Sequence, residues 1–229
     1  MGRKNIEIPI MTNWNPDSAY ILGFWWADGH IGQNKRGGDY LITFSSNDQS
    51  HLELIADILD LTGKVRKCTD SNCYTLAFSR KSMYNFIVDN GGIPAKSLKA
   101  TWHNVSEKYL CDFVRGYIDG DGSLFWDKSV PILSICGTSD FLYGMAEQIY
   151  ENTGIYSPNI YQHKDKIPFI KYSGLKAKLL TYWLYNESRI SLQRKRDIAS
   201  LFLQWKPKNF GYKKRVITPL MRDIFEDLL

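Results

Sequence analysis

The chain has 229 residues, of which 44% are hydrophobic and 23% are charged, and its net charge is +5 at pH 7. This composition is typical of a globular protein with one large or two small domains, and it argues against long disordered regions. Because the apolar runs are too short to cross a bilayer and the N-terminal residues show no secretory pattern, we expect an intracellular protein.

The first half of the chain contains patterns typical of three helices and two hairpins. They predict, in order, helix, β-hairpin, helix, β-hairpin and helix over residues 20–29, 30–35 with 40–46, 51–61, 64–79 and 81–89. The first helix ends in Asp28-Gly29. The second is followed by Thr62-Gly63, and a glycine there is the expected cap of a helix C-terminus.

The second half repeats this order. It predicts a helix, a hairpin, a helix, a hairpin and a helix over residues 113–122, 123–128 with 132–137, 141–152, 156–172 and 175–185. Its first helix ends in Asp121-Gly122, and Gly154 is the expected cap of its second. Each half is therefore predicted to be an αββαββα repeat. Residues 91–104 form the expected linker, so we assign residues 1–104 to an N-terminal repeat and residues 105–229 to a C-terminal repeat.

The C-terminal repeat carries a basic extension. Residues 191–205 predict a helix, residues 206–215 a basic connector and residues 219–229 a short terminal helix. Basic residues far outnumber acidic ones between Glu187 and Arg215, which indicates contact with a polyanion. A basic surface facing solvent is the alternative.

The four cysteines, Cys68, Cys73, Cys111 and Cys136, have spacings typical of neither a disulfide framework nor a zinc site. We expect them to be buried, reduced thiols.

The two helices that end in Asp-Gly carry small residues four positions apart. These are Gly23 and Ala27 in the first helix and Gly116 and Gly120 in the second. Small residues on one face allow two helices to approach closely, so we expect these helices to pack on each other. In the alternative interpretation, each glycine accommodates a bulky neighbour in its own half.

Packing of this kind brings Asp28 and Asp121 together at one end of the helix pair. Each carboxylate then experiences the other's charge and the negative end of a helix dipole, so a cation is expected between them. Carboxylate oxygens, completed by backbone carbonyls and water, favour a hard ion such as Mg²⁺. Paired metal sites hydrolyse phosphodiesters, and two sites related by a repeat match the pseudo-two-fold symmetry of duplex DNA.

These residues resemble the LAGLIDADG homing endonucleases of the monomeric, double-motif type. The resemblance is carried by the stretches from Leu22 to Gly29 and from Gly116 to Gly122, although Trp25 and Trp26 are bulkier than the motif usually has. Two copies about 93 positions apart, each followed by the same order of elements, make the resemblance cover nearly the whole chain.

The resemblance implies an α+β fold in which each repeat supplies a four-stranded antiparallel sheet and both sheets form a saddle along DNA. It implies a monomeric enzyme that cuts both strands of a double-stranded DNA target of about 20 to 24 base pairs. Cleavage is then expected across the minor groove, leaving short 3′ overhangs. The implied cofactor is Mg²⁺, for which Ca²⁺ or Mn²⁺ substitutes. No organic cofactor, membrane or obligate protein partner is expected, and the location is the cytoplasm or an organelle matrix that holds the encoding DNA.

The resemblance also implies roles for individual residues. Asp28 and Asp121 are the expected metal-binding carboxylates, and the backbone carbonyls of four neighbours complete the set: Ala27, Gly29, Gly120 and Gly122. Asn47 and Thr138 are expected to order the attacking water. Lys96 and Lys195 are expected to stabilise negative charge at the scissile phosphates, with Arg194 as an alternative to Lys195.

The predicted hairpins carry polar residues with side chains long enough to contact bases or phosphates in the major groove. The candidates for DNA binding are Gln33, Lys35, Arg36, Arg66, Arg80, Lys128, Gln162, His163, Lys164 and Lys171, together with Arg194. In the alternative interpretation, part of this set faces solvent and does not contact DNA. Asp119 is expected to be a carboxylate on the helix surface or at the helix interface, and His51 a surface or capping residue.

Two other functions are compatible with the same fold. One is an RNA maturase that assists the folding of its own intron, and the other is a DNA-binding regulator that has lost cleavage. An intein is disfavoured, because Met1 is followed by no splicing nucleophile and Leu228-Leu229 stands where a terminal asparagine is needed. Retention of both acids favours the nuclease.

Overall fold

The computed structural model describes residues 11–33, 40–69, 71–96, 99–103, 105–156, 159–164, 166–206 and 217–228. Within those ranges the chain forms eight α-helices: α1 Pro16–Asp28, α2 Gln49–Ile58, α3 Lys81–Asp89, α4 Leu110–Asp121, α5 Ser139–Thr153, α6 Leu175–Tyr185, α7 Gln193–Gln204 and α8 Pro219–Phe225. It also forms the strands β1 Gly29–Gln33, β2 Tyr40–Ser46, β3 Arg66–Lys67, β4 Tyr74–Ser79, β5 Gly122–Asp127, β6 Val130–Cys136 and β7 Phe169–Ser173. The predicted α+β class is confirmed, and so is the order helix, hairpin, helix at the start of each half.

The residue contacts divide the chain into two compact units. The first unit contains residues 1–99 and 103–120, and the second contains residues 100–102 and 121–229. Helix α4 therefore belongs to the first unit up to Gly120, although it opens the second sequence repeat. The predicted boundary at residue 104 marks where the sequence repeat begins again. The compact units divide later, after Gly120, because α4 packs within the first unit.

In the first unit, a four-stranded antiparallel sheet has the order β1-β2-β4-β3. Helices α2 and α3 pack against β2, and α2 also packs against β4. The residues that the sheet buries alternate with exposed ones, as a sheet covered on one face requires. Its buried side chains include Ile31, Ile42, Phe44 and Leu76, each of which has 0% relative exposure.

Local hydrogen bonds fix where α1 begins. The Asn15 side chain accepts from the Ser18 amide at 2.9 Å, and the Ser18 hydroxyl accepts from the Asn15 amide at 2.9 Å. Pro16 occupies the first turn, where its missing N–H leaves no bond unmade. This capping box starts the helix that carries Asp28 at its other end.

The second unit has a sheet of three strands in the order β5-β6-β7, covered by α5, α6 and α7. The prediction of four strands in each half is therefore wrong for the described part of this unit. The segment before β7 contributes a single antiparallel bridge, between Tyr161 and Phe169, where the sequence predicts a full strand. Strand β5 turns directly into β6 through Lys128 and Ser129, both of which have positive φ.

The glycine caps were predicted correctly in one half only. Gly154 ends α5 with φ of +69°. In the first half, α2 already ends at Ile58, and Asp60 takes the positive φ of 53° in the turn that follows. Gly63 therefore lies beyond the cap, in the loop that leads to β3. No helix within the described ranges is long and apolar enough to cross a membrane.

Candidate active site at the two Asp-Gly motifs

Helices α1 and α4 pack backbone to backbone within the first unit. A Cβ added at Gly23 would overlap the Phe113 carbonyl, and one added at Gly116 would overlap the Tyr20 carbonyl. The overlap is with main-chain atoms that no side-chain rotation can move. The structure thus brings the predicted small residues together, and larger residues would push the helices apart.

The same contact continues to the end of the helix pair. A Cβ added at Gly120 would overlap the Ala27 side chain and would lie 3.1 Å from Oδ2 of Asp28. The Asp28 carboxylate is half-buried and lies beside Gly120, the residue that precedes Asp121 in α4. Asp121 is the last residue of α4 and is exposed.

In the first unit, a buried lysine binds the backbone directly after the motif acid. Lys96 follows α3 in the chain and is 6% exposed. Its Nζ donates a hydrogen bond to the Gly29 carbonyl and lies 4.8 Å from the centre of the Trp25 ring. A Cβ added at Gly29 would overlap the Trp25 ring, so a glycine is needed where the chain passes over the indole.

The second unit has the equivalent lysine. Lys195, in α7, is 2% exposed, and its Nζ donates a hydrogen bond of 2.7 Å to the Gly122 carbonyl. Arg194 is exposed on the same helix and does not occupy this buried position. Lys195 rather than Arg194 therefore has the placement that matches Lys96.

Each unit thus contains an acid, the glycine that follows it, and a buried ammonium bound to that glycine's carbonyl. A buried cation is unfavourable unless anions or oriented dipoles compensate it. The carbonyls of Gly29 and Gly122 already accept from ammonium groups, which makes them poor ligands for a second cation. The carbonyls of Ala27 and Gly120 are better suited, because carbonyls of the last helical turn lack partners within the helix.

Asn47 and Thr138 occupy equivalent positions, since Gly29 pairs with Phe44 and Gly122 pairs with Ile135 three residues before them. Asn47 is exposed. The Thr138 hydroxyl accepts from the Phe141 amide at 3.3 Å and donates to the Ala100 carbonyl, so it caps α5. This hydroxyl already makes two hydrogen bonds, which leaves it less able than Asn47 to orient a water molecule.

Cysteine 136 is a residue near the motif acid that the sequence analysis missed. Extension of the β5-β6 register by one residue places Cys136 opposite Asp121. Burial raises the pKa of the Cys136 thiol, and the negative charge of Asp121 raises this pKa further. Its equivalent in the first unit is Ser45. The pairing of the two hairpin strands, counted outward from the turn, is the signal that would have placed Cys136 and Ser45 next to the motif acids.

A buried polar network joins three helices of the first unit. The Tyr20 hydroxyl donates to Oδ2 of Asp119 at 2.7 Å and lies 3.0 Å from Nε2 of His51. Asp119 is 1% exposed and His51 is 4% exposed, so the expected surface position of His51 is wrong. Asp119 lies at the helix interface, and the Arg115 guanidinium lies 5.3 Å from the centre of the Tyr20 ring.

The predicted DNA-binding residues fall into several environments. Lys35 and Arg36 lie outside the described residues, and Gln33 ends β1. The Arg66 guanidinium donates to the Gly63 and Val65 carbonyls at 2.6 and 2.9 Å, which ties it to its own loop. Arg80 caps α3. The others are on the second sheet, its hairpin and the segment before β7: Lys128, Gln162, His163, Lys164 and Lys171.

Comparison with known proteins identifies the first repeat. The family model for the LAGLIDADG-like domain matches residues 15–88. An uncharacterised protein of Methanocaldococcus jannaschii is 29% identical over 120 residues, which are 50% of this chain and 41% of that protein. The chain therefore spans about two fifths of the length of this curated relative.

Solved structures match most of the chain. The homing endonuclease I-WcaI bound to its DNA recognition sequence has a TM-score of 0.57 at 15% identity, covering 82% of this chain and 89% of that one. I-DmoI in complex with DNA and Ca has a TM-score of 0.56 at 16% identity, covering 81% and 96%. The meganuclease I-SmaMI bound to uncleavable DNA has a TM-score of 0.55 at 13% identity, covering 93% and 97%. At such identities the likeness shows the fold.

The fold and the paired Asp-Gly helices define a protein with the architecture of the homing endonucleases. Residues 15–88 match the model of the LAGLIDADG-like domain, and over most of the chain the fold is similar to that of the homing endonucleases.

Proposed function

We propose that this protein is a divalent-metal-dependent endonuclease that hydrolyses one phosphodiester in each strand of a long, asymmetric DNA duplex. The observation that carries the proposal is the repeated arrangement of acid, glycine and buried lysine. It occurs as Asp28, Gly29 and Lys96 in the first unit, and as Asp121, Gly122 and Lys195 in the second. A protein that only binds DNA has no physical reason to bury an ammonium beside the same backbone position in both halves.

The available oxygen ligands are compatible with a hard cation. Each acid and the carbonyl of the residue before it, Ala27 or Gly120, offer the oxygen donors that Mg²⁺ prefers. When bound, the ion supplies an activated water and neutralises the charge of the leaving oxygen. The likeness to I-DmoI, which has been solved with DNA together with Ca or Mn, supports a divalent ion.

The lysines have a separate role in this proposal. Each ammonium is held on the carbonyl of the glycine that follows its acid, and from there it stabilises negative charge that develops on the phosphate. A donor fixed in advance does not have to reorganise during the reaction, which makes it effective in a site that excludes water. The hydrogen bonds to Gly29 and Gly122 provide that fixation.

The finer features of the proposal follow the family resemblance. They are cleavage across the minor groove with short 3′ overhangs, a target of about 20 to 24 base pairs, and action as a monomer inside the cell. Maturase activity and cleavage-free regulation are disfavoured, because neither needs both acids together with both buried lysines.

The test begins with selection of a cleavable duplex from a randomised library in the presence of Mg²⁺. Asp28→Asn and Asp121→Asn should each abolish double-strand cleavage of that duplex while leaving binding measurable in Ca²⁺. Asp140→Asn, which alters an exposed acid in α5, is the matched control and should cut normally. Full cleavage by the double variant at Asp28 and Asp121 would contradict the assignment.

A further inference from the structure

Among the described residues, each sheet has one face that no helix covers. Helices cover the opposite face in both units, and side chains point alternately to the two faces of a strand. Because the Asp-Gly motifs anchor both registers, the open faces can be compared position by position. In the proposed function these faces are the surfaces that contact DNA.

Three rows of paired residues cross the open face of the first sheet. They are Gly32, Leu41 and Ser79; His30, Thr43 and Ala77; and Ser45, Thr75 and Arg66. The equivalent rows of the second sheet are Phe125, Ile132 and Ser173; Ser123, Ser134 and Lys171; and Cys136, Phe169 and Tyr161. Aromatic residues of the second sheet thus stand at three positions where the first has none, with Phe125 for Gly32, Phe169 for Thr75 and Tyr161 for Arg66, while the middle row is largely polar in both sheets.

Tyr161 and Phe169 line an open groove of about 660 Å³ on the second sheet. Ile132 also lines it, although its side chain is only 2% exposed. The rings of Tyr161 and Phe169 stack with their centres 5.7 Å apart, and Phe125, on the same face of the sheet, is 41% exposed. This surface offers apolar contact beside the polar side chains that also line the groove, which are Asp127, Lys128, Lys171 and Ser173.

A positive charge is fixed at the edge of this groove. Nζ of Lys171 lies 3.7 Å from Oδ2 of Asp127 and 5.9 Å from the centre of the Phe125 ring. The exposed Lys128 stands in the adjacent turn and also lines the groove. The groove therefore combines apolar walls with cations, which is complementary to a DNA major groove, where bases lie between rows of phosphates.

We propose that the two sheets recognise chemically different half-sites, and that the second sheet selects thymines through contact of its aromatic side chains with their C5-methyl groups. The methyl group of thymine is the apolar group that bases present in the major groove. A cytosine in its place lacks the methyl group, so the apolar contact with Phe125 or Phe169 would be lost. The first sheet would instead recognise its half-site through hydrogen bonds. This inference rests on the proposed function.

Uracil provides the test, because it differs from thymine in duplex DNA only by the missing methyl group. In the selected duplex, the thymines of one half-site are replaced by uracil, then those of the other, and the Kd is measured in Ca²⁺. Affinity should fall about four-fold for each contacted methyl group, and only in one half. Phe125→Ala should remove most of that loss, whereas Leu41→Ala on the first sheet should leave it unchanged.

The outcomes separate this inference from the proposed function. If the duplex is bound and cut but uracil has no effect in either half, or the same effect in both, the thymine contact is refuted and the nuclease remains. If no duplex is bound or cut, the nuclease proposal fails and this inference fails with it. Because Phe125 is exposed, its replacement should leave the thermal transition unchanged.

A second, independent observation concerns Cys68 and Cys73. The β3-β4 register, in which Arg66 pairs with Thr75 and Lys67 with Tyr74, continues to this pair. The Cys68 amide donates to the Cys73 carbonyl at 2.9 Å, and the two thiols are hydrogen-bonded to each other. Both are half-exposed, so the expectation that all the cysteines are buried is wrong.

The thiols of this pair are unequal. Hydrogen bonds from Cys68 and from Ser71, whose hydroxyl lies 3.2 Å from Sγ of Cys73, lower the pKa of Cys73. The hydrogen bond to Cys73 is the main cause that raises the pKa of Cys68. Directly opposed strand residues have Cα atoms about 4.5 to 5.5 Å apart, within the range that a disulfide spans.

We infer that Cys68 and Cys73 form a reversible disulfide with a small-molecule disulfide as oxidant. The Cys73 thiolate attacks that disulfide, forms a mixed disulfide and releases one thiolate. Cys68 then loses its proton to solvent, attacks the Cys73 sulfur and releases the second thiolate. The two protein thiols are oxidised, and both sulfurs of the small molecule leave as thiols. The product links β3 to β4.

Incubation of the folded full chain with oxidised glutathione tests this inference. The intact mass should fall by two hydrogens, peptide mapping should join Cys68 to Cys73, and dithiothreitol should reverse the change. Cys68→Ser should retain a glutathione adduct on Cys73, because the second step is blocked, and Cys73→Ser should react far more slowly. Stable adducts on both cysteines of the natural chain, or no reaction at all, would refute the inference. None of these results depends on DNA cleavage.

Discussion

In the proposed function, replacement of Lys195 by methionine should leave an enzyme that nicks mainly one strand. The substitution keeps an unbranched apolar stem of similar size and removes the ammonium that donates to the Gly122 carbonyl at 2.7 Å. The lost hydrogen bond lowers the free energy of unfolding by about 1.5 to 3 kcal/mol. Part of this loss is offset, because methionine carries no charge that folding must remove from water. The loss is less than the total stability of about 5 to 15 kcal/mol for an ordinary domain, so the variant should fold.

The effect on cleavage should be larger than the effect on folding. Removal of one fixed donor from the stabilisation of a developing anion slows a reaction by about 10² to 10³-fold. A supercoiled plasmid that carries the selected site should therefore accumulate as nicked circle. Denaturing gels with each strand labelled should show that Lys96→Met still cuts the strand that Lys195→Met fails to cut. Arg194→Met, on the exposed side of α7, is the matched control. Cleavage of both strands by Lys195→Met at the natural rate would refute the role of the buried lysines.

Three further predictions concern stability and reactivity. Gly116→Ala should lower the free energy of unfolding by about 1 to 3 kcal/mol or more, because its Cβ would overlap backbone of α1, whereas Gly32→Ala, which meets only a side-chain atom at 3.6 Å, should be close to neutral in denaturant titrations. Tyr20→Phe should cost about 1 to 3 kcal/mol, because the buried Asp119 carboxylate loses its 2.7 Å donor. The same substitution at an exposed tyrosine of α5 should change unfolding by less than about 0.5 kcal/mol. Burial raises the pKa of Cys111 to about 12, so iodoacetamide should leave this thiol unmodified at mildly alkaline pH until the protein is unfolded. Equal modification rates in the folded and unfolded states would contradict this last prediction.

Local patterns were sufficient for most of the fold. Helices α3 and α6 have the bounds that the sequence predicts, because each is an apolar-periodic segment between clear turn signals. The missing fourth strand of the second sheet shows where local patterns fail. Residues 156–172 alternate enough to predict a hairpin, but pairing depends on a partner edge, and in the described part of this segment the pairing before β7 is the single bridge between Tyr161 and Phe169.

Side-chain environments were harder to predict than elements. His51 and Asp119 are polar residues on helices that also face solvent, and the sequence gives no sign that they meet. Their burial follows from the packing of α1, α2 and α4 around the Tyr20 hydroxyl. The Cys68 and Cys73 pair was missed for a related reason, since a register of opposing strands is not visible in the spacing of two cysteines.

The sequence by itself determined the repeat, the two Asp-Gly helices and the small residues that allow these helices to touch, because each of these features is written in short spacings along the chain. It also nominated Lys96 and Lys195 through the family resemblance. Only the tertiary structure decided where their ammonium groups lie, since Lys96 is 67 residues from Gly29 and Lys195 is 73 residues from Gly122. Contacts over such separations depend on how whole elements pack, and a one-turn shift of α7 would move Lys195 away from the carbonyl without altering any local pattern.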